Sequence, residues 1–520
     1  MPFKDSNALF DDTIYFGADI GTTNSYVAYN ENGRARIPAR FSNGLPTLFW
    51  RDKDGNEWYC DQVVNGGGLW DDPANVWVSG KMKLKDGPVK LGNKEYEAKV
   101  LFAKIVNYIL TVGKTAMEEE EMITVKPQLW VVGIPVLFDT REKEALEAAI
   151  QAITGVRVRL VNEAVLAAIN YYDCLSRQNS NILKEDHKVI VLDIGGGTSD
   201  VVVLVTNPNP DFNNPEPFIP LNPAGIRKAG DDIDKIAEQI LLEKIRENPG
   251  TINVKRMEDP NDFDRRRLRQ FAKEAKENLS SMPFTNVVIT CKDHTSTMVR
   301  ITRDELEERI RPLLKEIVEL AASVLEKCNY GVNPDIDILL VGGTSNIPLL
   351  KKMIAERFYW LSEDKIIQRN PSTAIALGAS IFAKDPNLAS SNVAYGYGVN
   401  THTEDGVKEV LRVMIPSVAR LPMTVSANFS TLNENQNCAQ FKIYEVYDVK
   451  EGDIHLDLVR GRLTSYSITH NFKTNVPRNT PIKLTVTLTE NGVLTAMVED
   501  FLPDKHVYRE TFTLNGTASN

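Results

Sequence analysis

Two stretches of this chain, Gly17-Ala18-Asp19-Ile20-Gly21-Thr22-Thr23-Asn24-Ser25 and Leu192-Asp193-Ile194-Gly195-Gly196-Gly197-Thr198-Ser199-Asp200, share one design. In each, an apolar run ends in an aspartate, a glycine turn and threonine follow, and a second apolar run leads away (Tyr26 to Tyr29; Val201 to Val205). The chemistry this favours is anion binding at the turn. Glycines let backbone N–H groups approach a phosphate with no Cβ in the way, and threonine hydroxyls add donors. The aspartates suit a hydrated divalent ion, because Mg²⁺ keeps most of its waters and is held through one or two carboxylates plus phosphate oxygens. One glycine turn between strands is most often only a turn; two copies with the same Asp-x-Gly spacing point to a shared ligand. A third stretch, Ile336 to Pro348, carries a strand that stops at Gly342-Gly343, with Thr344 next and a helix starting near Pro348. There the glycines admit a flat base or ribose and the helix start offers free N–H groups, although an ordinary strand-to-helix connection reads the same way.

The elements that must position these residues follow from periodicity. From about Ile14 to Ala383 short apolar runs alternate with amphipathic stretches, which predicts an α/β architecture with helix-covered sheets. Strands are expected over Leu129 to Ile134 and Val189 to Asp193, and helices over Thr140 to Ile153 and Arg303 to Lys327. After Ala383 the polar, Pro-containing stretch Lys384 to Asn392 reads as a linker. Beyond it the period becomes two, clearest at Ile482, Leu484, Val486 and Leu488, followed by Asn491-Gly492 and a run from Val493 to Val498. That pattern predicts a hairpin with a tight primed turn inside an all-β domain. The expected division is 1–386 for the α/β domain, 387–392 for the linker and 393–517 for a β-sandwich.

Composition excludes several classes of function. The 520 residues are 42% apolar and 25% charged, an ordinary globular balance, and too many for one core. Net charge is −10, and the one basic run, Arg265-Arg266-Arg267, sits in an acid-rich helical stretch, so nucleic acid is not an expected partner. Five scattered cysteines without a CxxC spacing read as reduced thiols, and six scattered histidines give no protein-only metal site. The first residues lack a signal-peptide core, and the longest apolar runs fall short of the roughly 20 residues that span a bilayer. A cytoplasmic protein with no membrane partner is expected.

In chain order, the three glycine stretches resemble the actin, hexokinase and heat-shock ATPase superfamily, and within it the 70-kDa heat-shock chaperones. Val131-Val132-Gly133-Ile134-Pro135-Val136-Leu137-Phe138, Leu160-Val161-Asn162-Glu163-Ala164, Gly230-Asp231-Asp232-Ile233-Asp234 and Asn370-Pro371-Ser372-Thr373-Ala374 favour that branch. The resemblance runs from Ile14 onward and is weaker in the β-domain. It implies a two-lobed actin-like ATPase domain followed by a peptide-binding β-sandwich, with ATP or ADP and Mg²⁺ as ligands. By matched position, Asp19 and Asp193 would arrange the metal's waters, and Gly21, Thr22, Thr23, Asn24, Gly195, Gly196, Gly197 and Thr198 would hold phosphates. Glu163 and Asp193 would orient the attacking water, and Lys81, with Lys83 and Lys85 close by, would touch the γ-phosphate. Gly230, Asp231, Lys276, Ser280, Gly342, Gly343 and Thr344 would complete the nucleotide site. Val399, Thr401, Phe429, Leu432, Ala439 and Phe441 would line a groove for an extended apolar polypeptide, or else fill the sandwich core. Co-chaperones and nucleotide-exchange factors are further partners that the resemblance implies.

The chain departs from that pattern. Lys273 replaces an acid, Glu277 and Asn346 replace arginines at the base, and Ser372 replaces an aspartate, so weak nucleotide affinity is expected. The linker lacks the family's acidic-leucine run, and no helical lid follows the β-domain, so weak interdomain coupling and fast peptide exchange are expected. Two readings stand: an ATP-hydrolysing chaperone, or a weakly hydrolysing or non-hydrolysing nucleotide-dependent adaptor. A sugar kinase or a filament-forming actin relative is disfavoured by the appended β-domain.

Overall fold

The computed structural model describes residues 14–84, 86–122, 124–154, 156–178, 186–209, 216–259, 262–389, 396–403, 408–416, 419–446, 449, 454–501 and 507–513. They fall into two compact units, Met1–Leu137 with Leu146–Ala389, and Ser390–Asn520 with Phe138–Ala145. The division differs from the expected one at two places. Phe138–Ala145 groups with the second unit. Leu388 and Ala389, read from composition as linker, are buried in the core of the first unit, where Leu388 O accepts the Phe218 N–H (3.1 Å). The expected linker residues 390–392 lie outside the described residues.

In the first unit, two sheets repeat one plan. One orders its strands Arg157–Asn162, Leu129–Ile134, Tyr15–Asp19, Asn24–Glu31 and Arg34–Arg36. The other orders Ile366–Gln368, Asp337–Val341, Lys188–Ile194, Ser199–Thr206 and Phe218–Ile226. In both, two parallel pairings lead to a central strand and an antiparallel hairpin follows. Helices cover the sheets, so the central strands are buried on both faces and read as unbroken apolar runs. The long helix Arg303–Lys327 starts where expected because Thr302 and Glu305 form a reciprocal cap: Thr302 Oγ1 accepts the Glu305 N–H and Glu305 Oε2 accepts the Thr302 N–H. Among the described residues one helix, Ala98–Glu121, is long and apolar enough to cross a bilayer; Leu101, Phe102, Ile105, Val106 and Ile109 on it are buried in the first unit. Helices Glu163–Gln178 and Ala374–Lys384 touch backbone to backbone, since a Cβ on Gly378 would lie 1.8 Å from Leu166 O.

The second unit is antiparallel: a sheet of Met423–Ser430, Pro481–Leu488, Leu494–Phe501 and Val507–Thr513, and a five-stranded sheet centred on Gly396–His402. Ile482, Leu484, Val486 and Leu488 all point into the core with Phe441, Ile443 and Ile468. The hairpin after Leu488 forms, but its turn is wider than the two-residue one expected. The Thr489 N–H donates to Val493 O (2.9 Å), and of the Asn491-Gly492 pair only Gly492 has positive φ, at 69°. A three-residue loop needs one left-handed residue rather than two.

Candidate functional site

The two glycine hairpins belong to different sheets, and their turns meet tip to tip. A Cβ on Gly196 would lie 2.3 Å from Thr23 Oγ1, and one on Gly197 would lie 2.6 Å from Met82 Cγ and 3.0 Å from Thr22 Oγ1. The second turn is braced from behind. The Thr344 hydroxyl donates to Gly195 O (2.7 Å), and the N–H groups of Gly230 and Asp231, which open helix Gly230–Glu247, donate to Gly195 O (3.1 Å) and Gly196 O (2.7 Å). The first turn is closed by the Gly21 N–H donating to Ser25 Oγ (3.2 Å), itself bonded to Thr47 Oγ1 (2.8 Å).

Between the hairpins lies a cleft of about 350 Å³. Asp19, Gly21, Thr22, Thr23, Asn24, Lys81, Glu163, Asp193, Gly195, Gly196, Thr198, Lys276, Ser280, Gly342, Gly343 and Thr344 all line it. Gly197, Gly230 and Asp231 do not. Gly197 serves the contact between the hairpins, and Gly230 and Asp231 support the second turn. The Asp231 carboxylate also accepts a hydrogen bond from the Ser79 hydroxyl (2.8 Å), fixing the turn Gly80–Lys83 that carries Lys81.

Lys81 enters the cleft buried and pairs with Glu163 at 2.5 Å. Burial alone would lower the ammonium's pKa, but Glu163, Asp19 and Asp193 outweigh it and hold the group protonated. The acids respond oppositely. Asp19 is pushed up to about 7, first by burial, then by the Glu163 charge, with Lys81 opposing. Asp193 is raised well above the ordinary carboxylate range by burial and by Glu163, Asp19 and Asp200. Asp200, which faces Asp193 across the hairpin and accepts the Val136 N–H (2.9 Å), is lifted to about 7, again chiefly by burial. Buried carboxylates crowded around one ammonium gain from a further cation. Among the described residues no three acids, histidines or cysteines converge closely enough to ligate an ion directly. A hydrated divalent ion held through its waters and through phosphate oxygens therefore fits this set.

Sequence reading passed over Asp200, Ser79 and Tyr26, and named Ser372 only as standing where the family has an aspartate. The first two act through partners distant in the chain, while Tyr26 and Ser372 line the cleft. Both aspartates of the second hairpin stood in its motif, and that was the available signal for Asp200. Lys273, Glu277, Asn346 and Ile347 also line the cleft, and Lys276 is paired to Asp234 (2.7 Å).

The second unit has a groove of about 970 Å³ lined by Thr401, Phe429, Leu432, Ala439 and Phe441 among others. Val399 is not in the groove; it is buried in the sandwich core, its side of the expected alternative. Phe429 packs edge-on against Phe441 (5.1 Å between centroids), and the Arg412 guanidinium lies 5.1 Å over the Phe429 ring.

The chain is similar to known proteins. It is 25% identical over 449 residues to the chaperone protein DnaK of Mycoplasmopsis agalactiae, covering 83% of this chain and 69% of that protein. It is 25% identical over 510 residues to the chaperone protein DnaK of Nitrosopumilus maritimus, covering 93% of this chain and 73% of that protein. The family described as Hsp70 protein matches residues 80–513, a span that includes Lys81, Glu163, the second hairpin and the groove. With its paired sheets, its hairpin-lined cleft and its β-sandwich, the chain belongs to the Hsp70 family.

Proposed function

We propose that this protein binds Mg-ATP in the cleft, hydrolyses it, and binds extended polypeptide through the groove of the second unit, as an ATP-dependent chaperone. The observation that carries the reading is the buried Lys81–Glu163 pair set beside Asp19, Asp193 and Thr198 between two glycine hairpins. Each residue has a role its chemistry supports. The N–H groups and hydroxyls of the two turns hold phosphate oxygens. Lys81 offsets charge on the γ-phosphate, and Glu163, kept in place by Lys81, accepts a hydrogen bond from the attacking water with Asp193. Asp19 and Asp193 orient the waters of the metal. Mg²⁺, when bound, neutralises charge that develops on the phosphate oxygens. Phosphoryl transfer to water needs little from the protein beyond such positioning and charge compensation.

A second reading, a nucleotide-dependent adaptor with little turnover, is favoured by one observation. The base end of the cleft is lined by Lys273, Glu277 and Asn346, which offer no guanidinium to stack on the base. Single-turnover hydrolysis of Mg-ATP separates the two. Thr198→Ala and Asp193→Asn are each expected to lower the rate at least about tenfold, a barrier change of about 1.4 kcal/mol, while retaining nucleotide binding. Equal rates in wild type and both variants would remove the proposed catalytic site, and measurable ATP binding with no hydrolysis in the wild type would select the adaptor.

A further inference from the structure

The groove of the second unit carries a charge pattern that its apolar lining does not require. Among the described residues that line it, Arg412 and Arg478 are the charged side chains, joined by His402 and His455; none is an aspartate or glutamate. This holds in a chain whose acids outnumber its bases, 70 to 60. Glu404 and Asp405 lie outside the described residues.

Acids do stand near the groove, but they are engaged. Glu409 accepts a hydrogen bond from the Asn400 amide (2.9 Å), Asp457 pairs with Lys408 (2.5 Å), and Glu434 accepts the Arg478 backbone N–H (3.3 Å). Among the described residues neither arginine is paired with a carboxylate. Arg412 donates once, to Asn428 O (2.9 Å), and its plane is held over the Phe429 ring. A guanidinium has five N–H donors, so most of those on Arg412 remain to be used. Stacking fixes its orientation in advance, which reduces the ordering cost of a bidentate bond to a carboxylate. Beside it Phe429, Leu432 and Phe441 offer apolar surface, with Leu432 43% exposed.

We propose that the groove selects extended peptide segments in which an apolar side chain is flanked by a carboxylate, the apolar side chain resting against Phe429 and Leu432 and the carboxylate held by Arg412 and Arg478. This rests on the reading of the groove as a peptide site and adds the class of peptide. Carboxylate could come from an Asp or Glu side chain or from a chain terminus, and the same contacts serve both.

Fluorescence anisotropy on the full chain decides it, using labelled peptides that share one Leu-rich core and carry Asp, Asn or Lys on both flanks, with blocked termini. The Asp-flanked peptide is expected to bind at least about fivefold tighter than the Lys-flanked one, and the gap is expected to shrink at about 0.5 M salt. Arg412→Gln is expected to weaken the Asp-flanked peptide several-fold and leave the Asn-flanked one within about twofold. An Asn-flanked peptide with a free C-terminus identifies a terminal carboxylate as the source if it alone gains affinity. Equal binding of all blocked peptides with no gain from the free terminus, or preference for Lys flanks, would overturn the inference while leaving the groove a peptide site. Binding of none of the peptides would overturn the peptide-site reading together with it.

Discussion

The cleft of the first unit gathers acids around one buried ammonium, whereas the groove of the second gathers bases around aromatic rings. On the functions proposed above, this means the two sites reach their ligands differently. An anionic triphosphate cannot sit among Asp19, Glu163 and Asp193 unless cations come between, so nucleotide binding should depend on metal. The groove needs no intermediary: its guanidinium groups meet a carboxylate directly, and its affinity should depend on ionic strength. Burial explains the contrast. Asp19, Glu163 and Asp193 are nearly inaccessible and their charges strongly felt, whereas Arg478 is exposed and screened.

The sharpest way to break this contrast is to remove the ammonium. Lys81→Met leaves Glu163 buried beside two aspartates, and urea unfolding of the nucleotide-free protein is expected to show a loss of about 3 kcal/mol, mostly recovered in Lys81→Met with Glu163→Met. A loss in the single variant below about 1 kcal/mol would mean the cleft is as well screened as the groove.

A buried acid with its own partners is the control. Asp337 starts the strand Asp337–Val341, where it accepts from Tyr171 Oη (2.6 Å) and pairs with His187 (3.0 Å) and Lys365 (3.1 Å). Burial works against its charge, but the hydrogen bonds from His187, Tyr171 and Lys365 prevail and hold its pKa down to about 2. A carboxylate depressed in the fold stabilises it above the unfolded value and loses that contribution as pH falls through the folded one. Asp337→Asn is therefore expected to cost on the order of 2 kcal/mol at neutral pH, with the gap from wild type closing between about pH 4 and pH 2. A gap that stayed constant down to pH 2 would show that the amide's lost packing, not the charge, is responsible.

The smallest effect concerns the base end of the cleft. Glu277→Arg together with Asn346→Arg replaces a carboxylate and an amide by stacking planes, and calorimetry with Mg-ATP is expected to show binding tightened by about 1 kcal/mol. Equal or weaker affinity would count against placing the base beside helix Phe263–Ser281.

The contrast also separates what the sequence made legible from what it did not. Both glycine hairpins could be read directly, because strand, turn and strand are contiguous and the turn chemistry is local. Helix Arg303–Lys327 was legible from the three- and four-residue spacing of its apolar positions. Asp200 and Ser79 were not, since their roles depend on Val136 and Asp231, far away in the chain. The resemblance put Val399 and Thr401 in the groove together, but positions on one face of a strand can lie at different depths, and only Thr401 reaches the groove. Leu388 and Ala389 looked like linker because their neighbours are polar; their burial comes from pairing with Phe218, which composition cannot register.

Helices Glu163–Gln178 and Ala374–Lys384 meet at Gly378 with no side chain between them. A seam of that kind has nothing to compress, so a displacement of one helix passes undiminished to the other. Glu163 opens the first helix and Ile375, in the wall of the cleft, lies in the first turn of the second. The two helices thus form one stiff lever, and a slow opening of the lobes, on the microsecond-to-millisecond scale usual for hinge motion, would carry the carboxylate and that part of the wall in a single stroke.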